Sequence, residues 1–304
     1  MTTACIIIAV CAVFCAVTPF LTARPTRLVD LPSHFAVQGT VASAFLVFFF
    51  NFLAVRTGNM DILIAVTTCT VAVIINLRTI RPYMKARAPK PGNFKILQAN
   101  MLKSNTDPAL LQKLVEAENP DIIACCEVST EMAIGLRAME KNYPHQQLAL
   151  DESGYGVALL SKFPFASIEN MKPPTARATS IAANIRNITF VALHTVTPIA
   201  DIAARDAELA ALAERFRGAA PLVVLGDFNA TPWCPAMRRL CAALRLRNAR
   251  LGLGISPTWP LWLPRALRLP IDHVLVSHGI PVESFAAGPS TGSDHAPTIT
   301  TLSI

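Results

Sequence analysis

Three stretches of the chain are apolar all round, without the polar stripe that a helix on a protein surface keeps. Residues 1–23 and 35–55 contain no charged side chain, and residues 62–77 run uncharged between Asp61 and Arg78. A helix needs about 20 residues to cross the hydrocarbon of a bilayer. The first two stretches reach that length. The third has sixteen residues and relies on flanking side chains, such as the stem of Arg78, to reach the interface. The pattern predicts transmembrane helices near 3–21, 35–55 and 61–79, within a membrane region 1–78. A signal peptide followed by a buried helical hairpin is the competing reading. It is weakened by the lack of basic residues before Cys5 and by the second and third apolar runs.

Residues 79–93 mix prolines with basic side chains and predict a linker. From residue 94 onward the periodicity changes, and residues 94–304 read as one folded domain. Apolar runs predict strands at 94–99, 122–126, 222–225, 271–277 and 298–303. Strand pairs are expected at 145–150 with 155–161, and at 177–184 with 187–194. Helical spacing predicts 107–118 with Asp107 as N-cap, 129–142 starting near Ser129, 199–216 and 235–246. Strands outnumber helices, and several pairs are joined only by turns. That favours a layered α/β domain with mixed sheets over a repeat of βαβ units.

Composition adds two constraints. Apolar residues make up 52% and charged residues 15% of the chain, which excludes a disordered or fibrous protein. The net charge of +7 resembles the footprint of a nucleic-acid binder until it is divided, because residues 1–90 carry +6 and residues 91–304 only +1. Basic residues also bear on orientation. Arg24 and Arg27 lie in the first loop and Arg56 in the second, whereas Arg78, Arg81, Lys85, Arg87, Lys90 and Lys95 follow the last span. The positive-inside rule therefore puts residues 94–304 in the cytoplasm, although it weakens for a large translocated domain. Four cysteines fall in the spans, and Cys125, Cys126, Cys234 and Cys241 match no zinc spacing. They read as free buried thiols, which slightly favours a reducing compartment.

The chemistry gathers at the ends of the apolar strands. Asn100 ends the first, Glu127 follows 122–126, His194 follows Leu193, and Asp227 and Asn229 follow 222–225 across Gly226. Asp272 opens a strand, and Asp294 and His295 precede the last one. One strand-end acid usually caps a turn. A set of acids, amides and histidines that converge from several strands instead makes an oxygen-rich site suited to Mg2+ or Mn2+. His145, His273 and His278 read as packing or surface residues.

These segments carry a resemblance. The motifs are Ile96, Leu97, Gln98, Ala99, Asn100; Pro120, Asp121, Ile122, Ile123 leading to Glu127; and Gly156 through Pro164. They continue with Ala192, Leu193, His194, Thr195; Gly226, Asp227, Phe228, Asn229; Ile271, Asp272, His273; and Gly292, Ser293, Asp294, His295, Ala296, Pro297. In this order the chain resembles the endonuclease/exonuclease/phosphatase superfamily, the DNase I-like metal-dependent phosphoesterases. With its N-terminal spans it looks like the membrane-anchored members, some of them associated with vancomycin or teicoplanin resistance.

The resemblance implies a four-layer α/β/β/α sandwich and a hydrolase of phosphoric esters or pyrophosphates that uses Mg2+, with Mn2+ as the alternative. It further implies Glu127 as principal metal ligand, with Asn100 and Asp294 completing or supporting the site. Asp227 and Asn229 would position water and a phosphate oxygen. His295, oriented by Asp272, would act as base or transition-state stabiliser, and His194 would contact the phosphate from the other side. A non-catalytic membrane scaffold is the alternative of a different class.

For the substrate, residues 230–270 hold seven arginines and no acid. Arg238, Arg239, Arg265 and Arg268, with Trp259 and Trp262, are expected to bind an anionic substrate; an ordinary solvated face is the bland alternative. Two tryptophans and several leucines beside arginine suit a membrane interface, although a core-packing loop would use the same residues. The expectation is a membrane lipid or lipid-linked phosphate, with DNA as the alternative. Extracellular glycopeptide resistance would place the domain outside, so the resemblance and the charge bias point to opposite sides of the membrane. Nothing in the sequence fixes the oligomeric state.

Overall fold

The computed structural model describes residues 1–21, 26–175 and 178–304. Arg24, counted above in the first loop, and Arg177, the expected start of a strand, lie outside the described residues. Contacts divide the chain into two units, Met1–Pro82 with Trp233–Pro235, and Tyr83–Pro232 with Ala236–Ile304.

The first unit holds helices α1 (Thr2–Val17), α2 (Arg27–Ser33), α3 (Ala36–Thr57) and α4 (Ile62–Ile80). Three helical stretches, Thr2–Phe20, Ala36–Thr57 and Ile62–Tyr83, are long and apolar enough to cross a membrane. Small side chains line their contacts: Ala9, Ala65, Cys69 and Ala72 are fully buried, and a Cβ on Gly39 would lie 3.1 Å from the Asn76 amide nitrogen. Large residues such as Phe45, Phe48, Phe52 and Ile74 point outward. Small residues within and large apolar ones without is the arrangement of helices packed in lipid. The third helix runs past Leu77 through Arg78, so it exceeds the sixteen uncharged residues. The short helix α2 escaped the sequence reading because Pro32 and a seven-residue length leave no periodicity to read.

Cys234 is free and buried, as expected, and it also lies beside two other ligating side chains. Asp30, His34 and Cys234 are all buried, with ligating atoms within 4.8 Å of one another. Sequence spacing hides it, because the thiol is 204 residues from the aspartate.

The second unit begins with β1 (Phe94–Asn100), α5 (Ala109–Glu118), β2 (Ile122–Val128), α6 (Thr130–Arg137), β3 (His145–Ala149) and β4 (Gly156–Ser161). It continues with β5 (Ser167–Met171), β6 (Ser180–Ile185), β7 (Ile188–His194), α7 (Pro198–Arg215) and β8 (Leu222–Asp227). It ends with α8 (Pro235–Leu244), β9 (Leu246–Asn248), β10 (Asp272–Ser277), β11 (Val282–Ala287) and β12 (Thr298–Leu302). The strands form two six-stranded sheets, ordered β11-β12-β1-β2-β4-β3 and β5-β6-β7-β8-β10-β9. Both are mixed: β1–β2 and β7–β8 are parallel, and the other pairs are antiparallel.

Alternation along the strands decides what each face meets. Phe94, Ile96, Ile122, Val157 and Leu159 of the first sheet pack with Ile181, Phe190, Val223 and Val274 of the second. Residues one position out of phase, Leu97, Ala99, Ile123, Cys125 and Leu160, pack under Leu111, Leu114 and Val115 of α5 and Met132 and Leu136 of α6. A strand buried on both faces reads as a continuous apolar run, which is why 122–126 and 222–225 were visible. Strand β5 was not, since four of its five residues are exposed. Helix α6 stops at Arg137 instead of residue 142, and β9 replaces the end of the helix expected over 235–246. Asp107 lies one residue outside the cap position of α5, where its carboxylate accepts from Ala109 N at 2.9 Å.

Candidate active site

Pairing register brings the site residues together. His194 at the end of β7 lies opposite Asp227 at the end of β8, and Asp227 lies opposite Asp272 at the start of β10. Three neighbouring strands thus present an imidazole and two carboxylates along one rim. Gly226 makes the approach of β7 and β8 feasible. Its φ of +146° is open mainly to glycine, and a Cβ there would sit 1.9 Å from the Leu193 carbonyl oxygen.

The first sheet contributes Asn100 and Glu127. The β2–β4 ladder slips between Cys126 and Val128, and Glu127 at that bulge has φ +53°. Leu102 and Asn229 also take positive φ, at +59° and +47°. A non-glycine residue in this region costs free energy that the surrounding structure must offset. Here the bulge turns the Glu127 side chain toward the second sheet's rim. Asn100 Nδ2 donates to Glu127 Oε1 and to Asp227 Oδ2, both at 3.0 Å. Backbone amides hold the remaining oxygens: Lys103 N donates to Glu127 Oε2 at 3.1 Å, and Asn229 N to Asp227 Oδ1 at 2.8 Å. His194 Nε2 lies 3.8 Å from Glu127 Oε1 and 3.6 Å from Asp227 Oδ2.

Behind this group His295 Nδ1 donates to Asp272 Oδ2 at 2.9 Å, while its Nε2 lies 3.8 Å from Asp227 Oδ2. Gln98 Nε2 donates to the other Asp272 oxygen at 3.1 Å, and Gln98 Oε1 accepts from Thr298 Oγ1 at 3.0 Å. Burial and the negative charge of Asp272 push Asp227 up to about 7. For Asp272, burial acts upward, but the charge and hydrogen bond of His295, with those from Thr258 and Gln98, hold it below the ordinary carboxylate range. For His295, burial acts downward, yet Asp272 and Asp227 outweigh it and lift the imidazole to about 9. Several buried acids within a few ångströms create a demand for positive charge.

The cleft in front of these groups has a volume of about 150 Å³. Tyr155 and Trp259 flank it, with ring centroids 5.8 Å from His194 and 6.2 Å from His295. Asp294 lines it too and accepts from Trp259 Nε1 at 2.9 Å. A hollow of about 460 Å³ beside α7 shares His194 and Thr195 with the cleft.

The structure therefore brings together Asn100, Glu127, His194, Asp227, Asn229, Asp272, Asp294 and His295. Of the two roles expected for Asn100 the geometry matches the supporting one: its amide nitrogen bridges the carboxylates while its Oδ1 accepts from Leu102 N at 2.9 Å. The expected basic patch is corrected: among the described residues, the cleft lining contains no arginine. Arg250 is wholly buried and donates to Ile255 O, and Arg268 donates to Leu261 O and Leu263 O within its own loop. Arg239 pairs with Asp206 at 2.5 Å, and Arg238 and Arg265 are exposed. Trp259 is a wall of the cleft, whereas Trp262 is 73% exposed. Tyr155 and Gln98 were missed. Gln98 had a signal, an amide in the middle of an apolar strand; Tyr155, in a turn, had none.

Glu127, His194 and Asp227 offer donor atoms within 4.8 Å of one another, as do Asp227, Asp272 and His295. Carboxylates clamped by neutral donors, with an excess of negative charge, fit a divalent cation, and neither cluster contains sulfur.

Known proteins fit this picture. A 3′ phosphatase from Neisseria bound to a product DNA hairpin superposes with TM-score 0.58 at 20% identity, covering 70% of this chain and all of that one. An AP endonuclease from Archaeoglobus fulgidus gives 0.57 at 15% identity, over 70% of this chain and all of its own. An endonuclease/exonuclease/phosphatase from Beutenbergia cavernae gives 0.58 at 16%, over 69% of this chain and 71% of that one. At these identities the likeness is one of fold. No curated protein sequence matches the chain. The sequence profile of one family aligns with residues 97–295, well over half the chain and from the strand before Asn100 through His295, so the chain belongs to the Endonuclease/Exonuclease/phosphatase family.

Proposed function

We propose that the chain is a membrane-anchored, metal-dependent phosphoesterase that hydrolyses a phosphate ester of a nucleic-acid strand. The observation that carries it is the meeting of Glu127, Asp227, His194 and the His295–Asp272 pair in one cleft. The layering described above, helices over the first sheet and that sheet over the second, supports the four-layer sandwich. Three lipid-compatible helices support the anchor, with residues 1–78 as membrane region, 79–93 as linker and 94–304 as catalytic domain.

Phosphate esters resist attack because the nucleophile approaches negative oxygens. Glu127, Asp227 and His194 would hold a divalent cation, which would supply neutralisation of that charge when bound. Asp227 and Asn229 orient the water, and Asp227 accepts the proton the water loses as its oxygen bonds to phosphorus. The bond from phosphorus to the ester oxygen breaks, and His295 gives that oxygen a proton. Asp272 holds Nδ1 of His295, so Nε2 faces the cleft. His194 reaches a phosphate oxygen from the opposite side.

Two aromatic walls support the nucleic-acid substrate, because any base has a face that stacks on Tyr155 or Trp259. The similar Neisseria 3′ phosphatase bound to DNA adds support. A lipid pyrophosphate is the second reading, favoured by one observation: Trp262 and Leu267 are 73% and 50% exposed beside Arg265. Such a loop fits the headgroup level of a bilayer. The test is phosphate release by the full chain in detergent with Mg2+, from 3′-phosphorylated hairpin DNA and from polyprenyl pyrophosphate in micelles. Faster release from DNA is expected. The reverse order replaces the nucleic-acid reading by the lipid one, and no release from either with Mg2+ or Mn2+ overturns the phosphoesterase.

A further inference from the structure

Outside the cleft, the first unit contains a second convergence of metal-ligating groups. Asp30 and His34 are four residues apart, at the end of one short helix, so their side chains share a face. His34 Nε2 lies 3.2 Å from Asp30 Oδ2, and Cys234 Sγ lies 3.4 Å from Asp30 Oδ1. None of the three is more than 4% exposed. Side-chain donors fix the backbone that carries them: Ser33 Oγ donates to Asp30 O at 2.6 Å, and Trp233 Nε1 donates to His34 O at 3.2 Å.

We propose that Asp30, His34 and Cys234 form a metal site for a borderline-soft dication, of which Zn2+ is the type. The donor set is one oxygen, one nitrogen and one sulfur, a mixture that suits zinc and that Mg2+ does not take. Charge agrees: a dication with a thiolate, a carboxylate and a neutral imidazole sums to zero, as a buried site requires. The site also joins segments 204 residues apart, a loop whose closure a metal bond stabilises strongly. The proposal is independent of the phosphoesterase reading, because no residue is shared with the cleft.

Cobalt provides the test, since Co2+ bound to a thiolate absorbs in the near ultraviolet and Co2+ bound only to oxygen and nitrogen does not. The full chain in detergent, stripped with a chelator, is titrated with Co2+. The expected result is one thiolate–cobalt band per chain, abolished in Cys234→Ser and retained in Glu127→Gln. In competition, Cys234→Ser is expected to bind Zn2+ at least about 10-fold more weakly, since loss of an outer-shell partner alone costs that much. A hydrogen-bonded lock without metal gives no band in the folded wild-type chain, and that result overturns the proposal. If Cys234→Ser does not fold, zinc analysis of the Glu127→Gln chain decides: about one zinc per chain supports the site, and less than a tenth overturns it.

Discussion

His273 is wholly buried and makes two hydrogen bonds that together fix its protonation state. Nε2 donates to Ala230 O at 2.7 Å, and Nδ1 accepts from Asn248 Nδ2 at 2.9 Å. A second proton would set Nδ1–H against an amide donor. Burial, followed by the nearby positive charge of Arg250, lowers this histidine to about 3 from an ordinary 6.5. Below pH 6.5 the unfolded chain takes up a proton that the folded chain refuses, so the contribution to stability is complete above pH 6.5 and is lost as pH falls toward 3. At about 1.4 kcal/mol per pH unit, roughly 2 kcal/mol is lost between pH 6.5 and 5. Asp227, raised to about 7, acts in the opposite direction over the same window, because its folded form binds a proton before the unfolded one does. The raw slope of the wild type therefore mixes two signs, and the informative quantity is a difference. His273→Gln keeps one donor and one acceptor but cannot titrate. Urea unfolding of the full chain in detergent, followed by tryptophan fluorescence, should show the wild type losing about 2 kcal/mol relative to His273→Gln between pH 6.5 and 5. Parallel curves for the two proteins would refute the reasoning.

Two substitutions test the cleft. Glu127→Gln keeps the shape of the side chain and removes the charge that the cation needs; turnover should fall at least about 100-fold while near-ultraviolet circular dichroism stays unchanged. Asp272→Asn leaves the site's geometry but not the acceptor that selects the Nδ1–H form of His295. By analogy with the orienting acid of hydrolase triads, turnover should fall about 10³–10⁴-fold with little change in KM, as steady-state kinetics at saturating Mg2+ would register.

Much of the site was legible because polar side chains at the ends of apolar strands have few structural reasons to be there. Asn100, Glu127, His194 and Asp227 could be found from that placement alone, and their convergence follows from register. What failed was the inference of one substrate-facing basic patch from the density of arginines. The arginines of residues 230–270 looked like one surface, but a sequence does not say where a guanidinium points. Arg250 and Arg268 satisfy backbone carbonyls, and Arg239 meets Asp206, an acid from a distant segment. Edge strands such as β5 and β11 were unreadable for a related reason: they bury too little to need an apolar pattern. The trio of Asp30, His34 and Cys234 was invisible because no spacing rule spans 204 residues.

Among the described residues no arginine lines the cleft, and that bears on how a phosphate would bind there. Glu127, Asp227 and Asp294 line the cleft with His194 and His295, and Asp272 stands directly behind. Among these described groups the two histidines can contribute at most two positive charges against four carboxylates, a balance that repels a phosphate. Lys103, whose Nζ donates to Tyr155 Oη at 3.3 Å, stands at the lip but is exposed to solvent and screened. A divalent cation held by the same carboxylates would offset that charge, and so would aid phosphate binding as well as the chemical step. The same balance accounts for the clamping of Glu127 and Asp227 by Asn100 and by backbone amides: neutral donors hold the acids in position without cancelling the charge that recruits the cation. A lysine or arginine in their place would stabilise the empty cleft and weaken its hold on the metal.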